Sequence, residues 1–206
     1  MSDPVIVATG ANVASVAYAL ERLGAHAELT ADPERIARAS HVILPGVGAA
    51  AEAMRQLRAA NLDRLIPSLT QPVLGICLGL QLLCEGSDEG GTQCLGILSG
   101  RARRLESAPG RAVPHMGWNT LTSSKPHRLL AGIASGAYAY FVHSYVVPPG
   151  PATSATCDYG GAFTAAASRG NFHGVQFHPE RSATVGARLL GNFLALGAWH
   201  GTDTGH

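Results

Sequence analysis

Val73-Leu74-Gly75-Ile76-Cys77-Leu78-Gly79-Leu80-Gln81 is the stretch on which the fold turns. Its apolar run, Val73 to Ile76, has the length and character of a strand buried on both faces. A helical pattern begins at Gly79 and runs to Leu83. Between them, Gly75-x-Cys77-x-Gly79 has the spacing of a nucleophile elbow, with Cys in the place of Ser. The glycines allow a strand-to-helix turn too tight for side chains. That turn lifts residue 77 above the carboxyl end of the sheet, where open α/β sheets bind ligands. A helix N-terminus favours a thiolate and leaves the Leu78 N–H free to hold an oxyanion. The competing reading is a buried structural Cys with glycines that serve helix–strand packing.

Outward from this stretch, the first half of the chain alternates. Residues 5–8 and 42–44 are short apolar runs, and 26–29 reads as a short strand. Residues 13–23 have helical spacing at Val13, Val16, Ala17 and Leu20 and stop at Gly24. Asp32-Pro33 opens a helix to about residue 39, with an N-cap and a Pro at the first position. Residues 50–59 and 62–69 are also helical in pattern. Such alternation predicts right-handed βαβ units, hence an α/β fold with a mostly parallel central sheet and helices on both faces.

The second half changes character. Residues 86–135 are rich in Gly, Ser and Pro, with short apolar patches. Residues 138–147, 155–159, 163–168 and 173–176 read as closely spaced strands, additional antiparallel hairpins in or beside the main sheet. A closing helix over 183–196 carries an apolar stripe of Val185, Leu189, Leu190, Phe193 and Leu194. There is no internal repeat or linker. Residues 1–200 are expected to form a single domain and 201–206 a flexible tail.

The chain has 206 residues, 46% of them hydrophobic, which is a globular composition. Fifteen Lys+Arg against fourteen Asp+Glu give a net charge of +1, so no net basicity recruits nucleic acid or an anionic membrane. Charged residues are 14%, against about 25% in a typical domain. Either a partner covers part of the surface, or an alanine-rich chain simply has few charges. Cys77, Cys84, Cys94 and Cys157 include no C-x-x-C pair, which points to free thiols in a reducing compartment. With no basic, apolar leader at residues 1–8, the expected location is cytoplasmic. Residues 65–84 and 129–157 lack charged side chains, but Pro67, Pro72, Gly132, Gly136, His143 and Pro148-Pro149 interrupt them. Both read as buried strands and loops rather than membrane spans.

A Cys nucleophile needs a base, and the base needs an orienting group. Of nine histidines, His178 has a carboxylate at a useful spacing after a strong strand, in Val175-Gln176-Phe177-His178-Pro179-Glu180. Pro179 stiffens the turn so that Glu180 can reach one ring nitrogen while the other faces Cys77. That is a Cys–His–Glu triad. Metal chemistry is not expected. His178-x-Glu180 lacks the following P-C-x-x-C of zinc deaminases, there is no H-E-x-x-H, and the cysteines have no zinc spacing. No cofactor is expected either: Gly46-x-Gly48 lacks the rest of a dinucleotide fingerprint, and there is no Walker A. Arg101, Arg103 and Arg104 form a basic cluster, read as a solvated face or as a phosphate or partner contact.

Pro72-Val-Leu-Gly-Ile-Cys77-Leu-Gly-Leu-Gln81 together with Gly174-Val-Gln-Phe-His178-Pro-Glu180-Arg-Ser182 resembles the class I, triad-type glutamine amidotransferases, whose fold is flavodoxin-like. Leu44-Pro45-Gly46-Val47-Gly48, Pro114-His115-Met116-Gly117-Trp118-Asn119 and Tyr140-Phe141-Val142-His143-Ser144-Tyr145 narrow the resemblance. Together they are similar to the glutaminase subunits of imidazole glycerol phosphate synthases. The resemblance runs from about residue 5 to 196, and the stretch Pro114 to Asn119 discriminates. It implies that Cys77 attacks the side-chain amide of L-glutamine, that His178 carries the proton to the leaving ammonia, and that Glu180 orients His178. It implies an oxyanion hole from Leu78 N–H and a backbone N–H in the Gly46-Val47-Gly48 segment, at Val47. Gln81, Glu89, Ser144 and Tyr145 match positions that hold the glutamine head groups. Asn12, Met116, Trp118, Asn119 and Arg181 match positions at the interface with a (β/α)8 cyclase subunit, in a one-to-one heterodimer. The cyclase receives ammonia through a sealed route, and the glutaminase is nearly silent until the cyclase is occupied. Gly46 and Gly48 would permit a peptide flip that switches the oxyanion hole; the alternative is a tight turn. One departure is local: Val7-Ala8-Thr9-Gly10-Ala11-Asn12 lacks the acidic residue that the family often carries there.

Other readings differ in what they require. A glutaminase for pyridoxal phosphate or anthranilate synthase would not carry the Met116–Trp118 stretch. A hydrolase of the α/β-hydrolase kind places its acid before the His, whereas Glu180 follows His178. A non-catalytic binding module has no use for an intact triad. A redox role for Cys77 would appear as peroxide-sensitive labelling without glutamine turnover.

Overall fold

A computed structural model describes residues 3–8 and 13–198. The first half runs β1 (Val5–Val7), α1 (Ala14–Glu21), β2 (Glu28–Thr30), α2 (Pro33–Arg38), β3 (Val42–Gly46), α3 (Ala50–Ala59), α4 (Leu62–Leu65), β4 (Val73–Cys77) and α5 (Leu78–Leu83). The second half runs β5 (Cys84–Ser87), β6 (Thr92–Gln93), β7 (Leu98–Arg104), β8 (His115–Thr120), β9 (Thr122–Ser123), β10 (Tyr138–His143), β11 (Tyr145–Val146), β12 (Thr153–Asp158), β13 (Ala162–Arg169), β14 (Phe172–Val175) and α6 (Ala183–Leu194).

The central sheet has eight strands in the order β2-β1-β3-β4-β14-β13-β12-β9. The five from β2 to β14 are parallel, and β13, β12 and β9 extend the sheet antiparallel. The short apolar strands are buried on both faces, as their lack of polar alternation predicts. Val5, Val7, Val42, Leu44 and Val73 face one core with α2, α3, α4 and α5. Ile6, Ile43, Leu74 and Ile76 face the other with α1 and α6. Burying one such side chain contributes about 1.5–3 kcal/mol, so these two layers hold the sheet rigid under the site.

Local signals act where they are strong. Asp32 caps α2 by accepting from Glu34 N–H at 2.9 Å, and Pro33 occupies the first turn. The expected helix over 62–69 splits into α4 and a 3-10 turn at Ile66–Ser68, because Pro67 supplies no N–H to continue it. The segment over 84–120 contains four strands that the Gly- and Ser-rich composition conceals. Three of these join β11 in a separate sheet, ordered β11-β7-β5-β6, and β8 pairs with β10 in a two-stranded ribbon. The expected strand over 138–147 is broken at Ser144, and its two halves belong to those two different sheets. Residues 201–206 and Asn12, with the Thr9 to Asn12 segment, lie outside the described residues.

Candidate active site

Sheet register brings the chemistry to one edge. Gly46 on β3 pairs with Cys77 on β4, and Ile76 pairs with Val175 on β14. The chain therefore leaves β14 beside the nucleophile, and His178 follows three residues later. Cys77 has φ 54 and ψ −108, an unusual backbone for a residue with a side chain. Such conformations cost about 1–3 kcal/mol and cluster where a side chain must be aimed. The glycines meet a packing demand as well. A Cβ on Gly79 would stand 1.9 Å from Leu44 O, and one on Gly75 would stand 2.6 Å from Gly79 C. The two readings of the elbow are therefore compatible. Close helix–strand packing is what makes the turn tight enough to present Cys77.

The loop carrying His178 is pinned from three sides. His178 N–H donates to Tyr140 O at 2.9 Å, Ser182 Oγ donates to His178 O at 2.7 Å, and Tyr140 N–H donates to Ser182 Oγ at 2.9 Å. Gly186 lets α6 close against this turn, since a Cβ there would meet Pro179 O at 1.7 Å. Pro179–Arg181 form a 3-10 turn that swings Glu180 back. Its Oε1 lies 2.8 Å from His178 Nδ1, which leaves Nε2 for the sulfur. Burial opposes charge on His178, but hydrogen bonds to Cys77 and to Glu180, with their charges, outweigh it and raise its pKa to about 10. The ring beside the sulfur is therefore an imidazolium at neutral pH. Burial pushes Cys84 and Cys157 up to about 12 and Cys94 to about 11.

A cavity of about 600 Å³ opens over this group. Gly46, Val47 and Gly48 line it from the end of β3 and just beyond; Cys77, Leu78 and Gln81 line it from the elbow and α5; the segment Val142 to Tyr145, with Glu89, Arg104, His178 and Arg181, completes it. All of the triad, substrate and oxyanion positions expected from the sequence thus surround one space, except that Glu180 stands behind His178. Gly46 and Gly48 differ in role. Gly46 has no room for a Cβ, which would lie 2.5 Å from Leu78 Cβ, whereas Gly48 has open space but φ +85. Glu89 Oε2 accepts from Ala50 N–H at 2.8 Å. It thereby caps α3, whose own N-cap, Ala49, has no side-chain acceptor.

The expected interface residues divide. Met116 and Trp118 point outward, 67% and 52% exposed. Trp118 meets the Tyr140 ring edge-on at 5.8 Å, and the Arg181 guanidinium lies 4.4 Å over the same ring. These three connect the exposed face of β8 to the cavity wall. Asn119 turns inward instead, because residues alternate along a strand. It donates to Asp158 O at 2.9 Å and lies 3.4 Å from His115 Nε2. The arginine cluster splits by the same alternation. Arg101 reaches Asp88 at 3.4 Å and Ser87 O at 3.1 Å, while Arg104 lines the cavity.

Sequence reasoning missed a polar chain beneath the cavity. His143 Nδ1 lies 3.1 Å from Tyr145 O, and His143 Nε2 lies 3.1 Å from His115 Nδ1. A carbonyl only accepts, so His143 carries its proton on Nδ1, and His115 donates to its Nε2. Asn119 then donates to His115 Nε2. Every link requires neutral rings. Burial pushes His115 down to about 4, and burial together with His115 pushes His143 down to about 3. On the other side of Tyr145 O, Gln81 Nε2 donates to that oxygen at 3.0 Å and to Gln176 Oε1 at 3.1 Å. Gln176, fully buried, donates through Nε2 to Cys77 Sγ at 3.6 Å. The only sequence signals were the buried polar letters within apolar strands, His115, His143 and Gln176.

Such an assembly, a cysteine on a strand-to-helix elbow with a His–Glu pair from a late strand of the same sheet, defines a class. The family described as glutamine amidotransferase class-I matches residues 6–196, and the chain belongs to that family. Solved structures share the fold. A glutamine amidotransferase crystal structure superposes with a TM-score of 0.73 at 21% identity, covering 93% of this chain and 96% of that one. A glutamine amidotransferase from Thermotoga maritima gives 0.66 at 16% identity, covering 92% and 80%.

Curated relatives place the chain within the family. The imidazole glycerol phosphate synthase subunit HisH of Xylella fastidiosa (strain Temecula1) is 53% identical over 193 residues, 94% of this chain and 96% of its own length. The subunit of the same name from Shewanella loihica is 49% identical over 207 aligned positions, covering 95% and 92%. Within the class I amidotransferases, this chain groups with the HisH subunits.

Proposed function

We propose that the chain is the glutaminase subunit of an imidazole glycerol phosphate synthase. It hydrolyses L-glutamine to glutamate and ammonia for a cyclase subunit that makes imidazole glycerol phosphate and aminoimidazole-carboxamide ribotide in histidine biosynthesis. The observation that carries this reading is the meeting of Cys77 and His178 at one cavity, with Glu180 behind the ring and its Oε1 2.8 Å from His178 Nδ1.

The Cys77 sulfur attacks the side-chain amide carbon, and its electrons move onto the amide oxygen. Leu78 N–H and Val47 N–H hold that oxyanion; one such donor is worth about 10²–10³ in rate. His178 gives its Nε2 proton to the amide nitrogen, the C–N bond breaks, and ammonia leaves a glutamyl thioester on Cys77. The neutral His178 then takes a proton from water. The hydroxide adds to the thioester, the sulfur leaves, and glutamate is released. Glu180 keeps the ring aimed through both steps. Glu89 is the counter-charge for the substrate ammonium, and Gln81, Ser144 and Tyr145 hold the head groups.

Ammonia that meets bulk water at neutral pH becomes ammonium and is no nucleophile, so the product must pass directly to a docked cyclase. Met116, Trp118 and Arg181 mark the docking face, in a one-to-one complex with a (β/α)8 subunit. Gly48, already at positive φ, is the hinge on which the Val47 peptide turns to complete the oxyanion hole when the cyclase is occupied. Residues 1–200 act as one amidotransferase domain, and the complex works in the cytoplasm. The test is ammonia release from L-glutamine by the chain with its genomic cyclase partner, with and without cyclase substrate, beside Cys77→Ala. Turnover that needs partner and ligand and vanishes in the variant supports the reading. Full-rate turnover by the lone chain removes the coupling, and no turnover under any condition overturns the glutaminase assignment.

A further inference from the structure

We propose that Gln176 is a catalytic residue whose side-chain N–H supports negative charge on the Cys77 sulfur, in an orientation imposed by the backbone carbonyl of Tyr145. The inference rests on the reading of Cys77 as the nucleophile.

The argument starts from that carbonyl. Tyr145 O lies within hydrogen-bond distance of Gln81 Nε2 and His143 Nδ1, at 3.0 and 3.1 Å. An amide can be turned end for end, but a carbonyl oxygen cannot donate, so the Gln81 nitrogen must face it. That nitrogen also lies 3.1 Å from the Gln176 side chain, which must therefore present its oxygen there. Gln81 has then used both of its N–H groups on protein acceptors. The remaining end of Gln176 is its NH2 group, and this end stands 3.6 Å from Cys77 Sγ. Had the amide been reversed, its oxygen would have faced the sulfur and opposed a thiolate. Gln176 and Gln81 are 0% and 3% exposed, so no bulk water competes for these bonds. His178 supplies the second donor to the sulfur, and Val142 O, 3.6 Å from Sγ, accepts from the thiol when it is protonated. Negative charge that forms on the sulfur thus meets one charged and one neutral donor, and only the charged one gives up its proton during the reaction. Gln176 keeps its N–H toward the sulfur while His178 is without its proton, and it still faces the sulfur when the tetrahedral adduct collapses and the sulfur leaves.

The experiment reads the thiol without requiring turnover. The pH dependence of Cys77 alkylation by iodoacetamide is followed by mass spectrometry in the full chain, beside Gln176→Met and the isosteric Gln176→Glu. A bond to a charged partner lost from a buried site predicts about a tenfold fall in alkylation rate at neutral pH for Gln176→Met. The midpoint moves to higher pH, and the Glu variant falls further because a carboxylate then faces the sulfur. In complex with the cyclase, kcat falls by a similar factor while KM holds. In the parent chain, the Gln176 side-chain amide resonances shift as Cys77 titrates, a readout that needs no variant to fold. Alkylation profiles that superimpose on the parent's, or amide resonances that ignore the titration, overturn the proposal even if turnover has dropped. A parent that alkylates as described but never turns over glutamine leaves the role of Gln176 standing and refutes the glutaminase reading instead.

Discussion

Acidification from pH 7 to pH 5 should destabilise this protein steeply. Three buried histidines are neutral in the fold: burial holds His115 at about 4, and His143 and His173 at about 3. Each is about 6.5 when unfolded. Their folded values are depressed, so the stability they contribute is present above pH 6.5 and is lost as pH falls toward 4 and 3. At pH 5 each ring has forfeited about 1.5 units, or about 2 kcal/mol, and three together forfeit about 6 kcal/mol. That is comparable with the whole stability of an ordinary domain, about 5–15 kcal/mol. His178 runs the other way. Its folded value is raised to about 10, so its contribution is full below 6.5 and is lost between 6.5 and 10. Stability should therefore peak near pH 6.5–7. The assay is urea unfolding at half-unit steps of pH. His173→Asn is the control: Nδ1 of this ring lies 2.9 Å from Ser168 Oγ, an acceptor position that Asn can reproduce without titrating. It should remove about one third of the acid slope. A flat unfolding free energy between pH 7 and 5 would refute the neutral-ring assignment and with it the polarity of the chain from Asn119 to Tyr145, and an unchanged slope in the variant would refute it for His173.

Three further outcomes are expected. Glu180→Gln removes the charge 2.8 Å from His178 Nδ1; a bond to a charged group is worth about 1.5–3 kcal/mol. Steady-state kinetics should show kcat falling about 10–100-fold with KM nearly constant, and the alkaline limb of the pH profile moving to lower pH. Gly79→Ala puts a Cβ 1.9 Å from a backbone oxygen that cannot swing aside, whereas Gly191→Ala in α6 meets open space. Urea unfolding should show a loss of about 3 kcal/mol or more for the first and a gain of about 0.5–1 kcal/mol for the second. Brief iodoacetamide treatment at pH 7 should modify one thiol per native chain and none in Cys77→Ala, because burial holds Cys84, Cys94 and Cys157 at about 11–12. Two or more labels in the folded chain would contradict that.

The sequence by itself determined what short-range chemistry can encode. Asp32-Pro33 marks a helix start whatever surrounds it, and Gly75-x-Cys77-x-Gly79 after an apolar run is a tight strand-to-helix turn by steric necessity. The continuous apolar strands declare burial on both faces, which requires helices on both sides and hence a parallel sheet. His178, Pro179 and Glu180 are adjacent in the chain, so their pairing was also legible. Tertiary structure decided everything that depends on which distant segments meet. β5 and β6 are short, β7 is rich in Arg, Ser and Gly, and they are strands because they find one another and β11. Asn119 faces inward and Met116 outward because of the register of β8 on β10. Gln176 reads as one polar letter in an apolar strand. Only the orientation imposed by Tyr145 O, through a Gln81 that lies 95 residues away, shows which end of its amide meets Cys77. Hydrogen-bond polarity passes through space from one carbonyl to the next donor, and no local pattern of residues records it.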